Sequence, residues 1–167
     1  NNLKQAAKTM NFLTEHGISS YGELESKLTA ISARRDTAHA EIKRIESRSA
    51  ELALVMKHAG TYRQLKPLYD RYRKSNDKEK FLRGHESEII LFEAAARELK
   101  RLGAVPLPTT ESMKTELANL NAEKERLLAE YKTARTEAQE YDTVKQNVDA
   151  LLTVPKEQEQ QRRHELE

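Results

Sequence analysis

The chain has 167 residues, 37% of them hydrophobic and 34% charged, and 90 are Ala, Glu, Lys, Leu or Arg, the composition of long helices and coiled coils. Five glycines and four prolines are too few to punctuate a many-stranded fold, and a net charge of +2 from 29 basic and 27 acidic residues creates no global field that would require a nucleic-acid partner. The lack of cysteine excludes a disulfide framework and thiolate chemistry and is compatible with a cytoplasmic protein.

Apolar runs such as Ile89-Ile90-Leu91-Phe92 are far too short to span a bilayer, and no signal-peptide pattern opens the chain, so no membrane insertion is expected. Because the sequence starts at Asn1 without a methionine and is helix-like by Leu3, it is expected to be a piece of a longer protein. Leu166-Glu167 reads as a cloning remnant.

Residues 1–18 form a short amphipathic helix, with Leu3, Ala6, Ala7, Met10 and Leu13 on one stripe and Gly17 as a left-handed stop. Ser20 and Glu23 have capping-box spacing and open a second helix over 20–60. Tyr21, Leu24, Leu28, Ile31, Arg35, Ala38, Ile42, Ile45, Ser49, Leu52, Met56 and Ala59 then alternate by three and four as a heptad seam. Gly60 is expected to end it, and His58 to sit near that end as a cation against the negative end of the dipole.

Residues 61–108 read as a helical cap. Pro67 fits the first turn of a short helix carrying Leu68, Tyr69 and Tyr72, with Ser75 or Asn76 as the break and the cap of the next helix. A stronger helix follows from about Asp77 to Leu102, burying Phe81, His85, Ile89, Phe92, Ala96, Leu99 and Leu102 before Gly103 stops it. Ala104-Val105-Pro106-Leu107-Pro108 is an extended connector.

Thr109 or Thr110 caps the next helix, over 109–154. Its seam runs Met113, Leu117, Leu120, Lys124, Leu127, Tyr131, Ala134, Ala138, Tyr141, Lys145, Val148 and Leu152. Pro155 is expected to close it, leaving a polar tail over 155–167.

The two seams predict an all-α fold, a long antiparallel coiled-coil hairpin with the cap at its tip. Facing layers have partner numbers totalling about 169 or about 176. The first register sets Ala38 against Tyr131, Ile31 against Ala138 and Ile42 against Leu127, large on small, and is preferred to the second, which sets Ala38 against Ala138. A monomer is favoured, and a homodimer using the same seams is the alternative. Arg35, Ser49, Lys124 and Lys145 occupy seam positions, where they fix register at a cost in stability, the charged ones reaching toward flanking carboxylates.

Enzymatic constellations are not found. There is no Gly-rich phosphate loop, no H-E-x-x-H and no G-x-S-x-G, and no cofactor motif. The histidines at 16, 39, 58, 85 and 164 lie far apart in sequence, and His85 reads as a core or boundary residue. No metal site and no catalytic residue is nominated. One local charge anomaly stands out: Thr61 to Arg83 holds eight basic residues, Arg63, Lys66, Arg71, Arg73, Lys74, Lys78, Lys80 and Arg83, against Asp70, Asp77 and Glu79. Tyr62, Tyr69 and Tyr72 are interleaved with them. Cations neutralise phosphates and exposed rings stack on bases, so this mixture suits a nucleic-acid strand. The structural alternative is that the tyrosines pack under the cap while the charges keep it solvated.

The stretch T-Y-R-Q-L-K-P-L-Y-D-R-Y-R-K-S-N-D-K-E-K-F from Thr61, followed by H-E-S-E-I-I-L-F-E-A-A-A-R-E-L-K from His85, resembles the helical region downstream of the nuclease domain in mobilisation relaxases of conjugative and integrative elements. The opening L-K-Q-A-A-K-T-M-N-F-L-T-E-H-G-I-S-S-Y-G-E-L and the late V-K-Q-N-V-D-A-L-L are similar to the two ends of that region. Relaxases nick one DNA strand with a tyrosine on a mixed α/β domain that holds a metal through clustered histidines. Neither a strand pattern nor clustered histidines is found in this chain, so the resemblance implies a non-catalytic arm. Its implied partners are transfer-origin DNA or an accessory mobilisation protein, met at Tyr62, Arg63, Lys66, Arg71, Tyr72, Arg73, Lys74, Lys78 and Lys80. The alternative is a structural coiled-coil spacer or dimerisation module with no specific ligand.

Overall fold

A computed structural model describes residues 2–166, apart from the side chains of 154–159. Four helices account for the chain: α1 (Asn2–Glu15), α2 (Tyr21–Lys74), α3 (Lys78–Arg101) and α4 (Thr110–Glu165), with no strand among the described residues. The long helices α2 and α4 pack against each other. Contacts divide the chain into two units, one of Asn1–Glu41 with Arg126–Glu167 and one of Ile42–Glu125. Among the described residues, no helix is long and apolar enough to cross a membrane.

In the first unit, α1 ends in a Schellman turn: Gly17 has φ 64°, its N–H donates to Thr14 O at 3.2 Å and that of Ile18 to Leu13 O at 2.8 Å. A left-handed residue is required there, and buried Ile18 supplies the hydrophobic contact that accompanies the motif. The chain restarts as expected at Ser20, whose Oγ accepts from Glu23 N–H at 3.1 Å. The returning Glu23 carboxylate takes the Ser19 N–H at 2.8 Å, one residue earlier than a standard capping box.

The buried face of α1 differs from the expected stripe. Leu3 is 88% and Met10 58% exposed, while Thr9 is only 3% exposed. The helix is turned by its aromatic contacts: Phe12 stacks on His16 at 4.0 Å and meets Tyr141 edge-on at 5.0 Å. A ring buries more surface than Leu3 or Met10 could, and the polar groups brought in with it are satisfied. Thr9 Oγ1 donates to Gln5 O at 3.0 Å, and Asn147 donates to Thr9 Oγ1 at 3.4 Å. Behind this layer lies a core of Ile18, Leu24, Ile31, Ala138, Tyr141 and Val144.

In the second unit, α2 does not stop at Gly60, nor does Pro67 begin a new helix. The helix runs on to Lys74 with Pro67 inside it, so His58 is a mid-helix residue and not a terminal one. An interior proline costs about 3 kcal/mol, and tertiary contacts offset it. Tyr62 and Tyr69 stack on Phe92 at 4.8 and 4.2 Å, and Arg63 donates to Pro108 O at 2.6 Å and to Thr110 Oγ1 at 3.0 Å. Residues 61–108 share one unit with 42–60 and 109–125.

Asp77, not Ser75 or Asn76, caps α3, its carboxylate accepting from Lys80 N–H at 3.1 Å. The helix is kinked at His85 (φ −138°, ψ 25°), directly after Gly84, where the helical conformation is least favoured. Gly103 (φ 70°) repeats the Gly17 turn: it donates to Lys100 O at 3.1 Å and Ala104 to Leu99 O at 2.9 Å. The Val105–Pro106 peptide is cis. Thr109 caps α4, accepting from Ser112 N–H at 3.1 Å. The core of this unit includes Ile45, Leu52, Val55, Ala59, Ile89, Phe92, Leu99 and Met113.

Every second seam position of α2 (Leu24, Ile31, Ala38, Ile45, Leu52 and Ala59) is buried, whereas the positions between them, Ile42 excepted, are half-buried or exposed. Pairs across the two long helices run in opposite senses within each unit. In the first, Arg34 meets Glu137 at 3.0 Å and His39 meets Tyr131 at 5.7 Å; in the second, Arg48 meets Glu116 at 2.6 Å and Lys124 meets Glu46 at 3.7 Å. The partner numbers of these pairs total 171, 170, 164 and 170. The expected stop at Pro155 is not found, since α4 continues to Glu165.

Candidate nucleic-acid interface

The nominated surface lies where α2 ends, the three-residue turn 75–77 follows, and α3 begins. Its aromatic residues face inward onto one another. Phe92, 5% exposed, is stacked against both Tyr62 and Tyr69. Tyr69 touches Tyr72 at 5.8 Å, Tyr72 reaches Phe81 across the two helices at 6.1 Å, and Phe81 lies 4.6 Å from His85. All three tyrosines are half-buried. Their ring faces are engaged within the protein, which is the arrangement the structural alternative required.

The basic residues divide into two groups. Arg63 is committed to Pro108 and Thr110. Lys66 is paired with Asp70 at 3.0 Å, a hydrogen bond that raises its pKa. Arg71 lies over the Phe81 ring at 5.7 Å, a cation–π contact. Arg73, Lys74, Lys78, Lys80 and Arg83 are exposed, and among the described residues none has a carboxylate within ion-pair distance. Arg73 and Lys74 stand in the last turn of α2, where the dipole favours cations. Lys78 and Lys80 stand in the first turn of α3, where the same dipole disfavours them. Helix stability therefore does not account for these two lysines.

The seam polar residues lie as their lengths allow. All four are half-buried. Arg35 reaches Asp36 at 3.0 Å, Lys124 reaches Glu46 at 3.7 Å and Lys145 reaches Asp149 at 4.0 Å. Ser49 lies next to Arg48, which makes the strongest cross-helix pair of the second unit. Arg48 Nε and Nη2 donate to the two carboxylate oxygens of Glu116, at 2.6 and 3.1 Å, a bidentate geometry that lowers the Glu116 pKa and raises that of Arg48. At the far end of the first unit the Tyr21 hydroxyl donates to Asp149 at 2.6 Å, and this hydrogen bond is the main reason its pKa is pushed up to about 12.

Sequence reasoning missed the organising role of Phe92 and the split of the cations into committed and free. The first was accessible as a ring on the apolar face of α3. The second depends on contacts such as Arg63 to Pro108 that no local pattern announces. Among the described residues no group of three histidine or carboxylate side chains could hold a metal ion. Comparison with family models, with curated proteins and with solved structures finds no match to this chain.

Proposed function

We propose that the chain is a non-catalytic helical arm of a DNA mobilisation relaxase, acting by binding and not by reaction. The partner is transfer-origin DNA or, on the same surface, an accessory mobilisation protein in the cytoplasm. The observation that carries the DNA reading is the set of exposed, unpaired cations at the α2–α3 turn, two of them placed against the dipole of α3. Cations that reduce helix stability and pair with nothing in the chain are candidates for an external anion. The resemblance around Thr61 to Phe81 covers the same residues.

Electrophoretic shift of transfer-origin duplex and single strand by the whole chain tests the reading. Simultaneous reversal of Arg73, Lys74 and Lys78 to glutamate is expected to abolish the shift while leaving the circular dichroism spectrum unchanged. A shift that survives the reversal removes the reading.

A second reading, a structural spacer, is supported by the stacking of Tyr62 and Tyr69 on Phe92 and the tilted contact of Tyr72 with Phe81. The same titration separates the two, because a spacer retards neither form of DNA. In either case the α2/α4 pairing within each unit is proposed to be of the antiparallel coiled-coil kind in a monomer, supported by the opposed cross-helix pairs. Light scattering that returned a strict dimer would reassign those seams to an intermolecular contact.

A further inference from the structure

We infer that the α2–α3 turn takes the phosphate backbone of duplex DNA and reads no base, an inference that rests on the DNA-binding reading above. A single strand is held by two devices together, a basic groove that tracks the backbone and aromatic faces on which unpaired bases stack. The turn presents exposed cations, while the tyrosine rings beside it contact other rings of the protein. Tyr62 and Tyr69 are stacked against Phe92 at 4.8 and 4.2 Å, and Tyr72 is tied to Tyr69 and Phe81. Releasing any of these rings to meet a base would break a contact that holds α2 and α3 together.

What remains outward is charge. Arg73 and Lys74 close α2, and Lys78, Lys80 and Arg83 follow within the first two turns of α3. Residues 78 to 83 rise about 7.5 Å along a helix axis, over which a duplex presents about four phosphates and each strand alone about half as many. A surface that binds through charge alone gains most from the polymer with the greater charge density. Base edges would need side chains such as Asn, Gln or a buttressed Arg held toward a groove; here Asn76, Arg73 and Arg83 are exposed with no partner among the described residues to orient them, and Arg71 is held over the Phe81 ring. The contact is therefore sequence-independent, and it positions DNA without selecting it.

The test is fluorescence anisotropy of the whole chain with three labelled probes of equal length: a transfer-origin duplex, one of its strands, and a scrambled duplex, each between 50 and 200 mM KCl. The expected result is a duplex preference of about fivefold or more over the strand and less than twofold between the two duplexes. With three to five phosphates contacted, affinity should fall about 40- to 500-fold across that salt range. A strand bound as tightly as the duplex, or an origin duplex preferred tenfold over its scramble, overturns the inference and leaves the DNA-binding reading standing. Failure to bind any probe at 50 mM overturns both.

Discussion

Both units pack three helical segments, yet they use their aromatic residues and charges differently. In the first, the rings of Phe12, His16 and Tyr141 attach a short helix to α4, and Gln5, Thr9 and Asn147 form a polar layer beside them. In the second, five rings from Tyr62 to Phe92 join α2 to α3, and the cations around them divide between internal partners and none. The difference teaches that an aromatic-rich, basic segment has to be read pairwise. The same tyrosines that suggested base stacking in the sequence are what hold the free cations in place.

The comparison sharpens most at Phe92. Phe92→Ala removes a ring stacked on two others and leaves a cavity, and should cost about 3–5 kcal/mol, read as a fall in the chemical-denaturation midpoint. Because α1 lies in the other unit, hydrogen exchange in residues 2–15 should change far less than in 60–100. In the first unit, Phe12→Ala should cost about 1–2 kcal/mol, since the ring is half-buried and the loss is correspondingly smaller. Its signature is local: α1 alone is too short to be stable in water, so its amides should lose protection while those of α3 keep theirs.

Smaller effects come from the charges between the long helices. Arg48 holds the Glu116 carboxyl below its ordinary value of 4.5. The stabilisation is complete above that value and lost as pH falls through the lowered pKa. Glu116→Gln should thus cost about 0.5 kcal/mol at pH 7, discounted for exposure, and progressively less as pH falls through the lowered pKa, with a flatter acid limb in a series of thermal melts. The smallest change is expected at Arg35, whose half-buried stem occupies a seam position. Arg35→Leu should raise the melting temperature by a few degrees, or change the oligomeric state seen by light scattering. No change in either would contradict its place in the seam.

Helix class, the seams and the two glycine stops were legible because each rests on a local or periodic signal. Leu24 to Ala59 repeats by three and four, and Gly17 and Gly103 occupy positions that demand positive φ. Contacts distant in sequence decided the rest. Gly60 and Pro67 are helix breakers by propensity, and only the stacking on Phe92 and the reach of Arg63 to Pro108 keep α2 continuous. The stripe of Leu3 and Met10 was the more apolar face of α1, but Phe12 found Tyr141 and turned that face to solvent. Within the candidate interface, the sequence marked the cluster of charge but could not separate Arg63, Lys66 and Arg71, which are engaged, from Arg73, Lys74, Lys78 and Lys80, which are not.

The most direct test of outward charge over inward rings is a nuclear magnetic resonance titration of the chain with a short duplex. The account predicts that backbone amides of residues 73–83 and the side-chain Nε–H signals of Arg73 and Arg83 shift on addition of DNA, while the ring signals of Tyr62, Tyr69 and Tyr72 stay in place. Ring signals that move with the DNA, or shifts centred on α1 and residues 140–148, would contradict it.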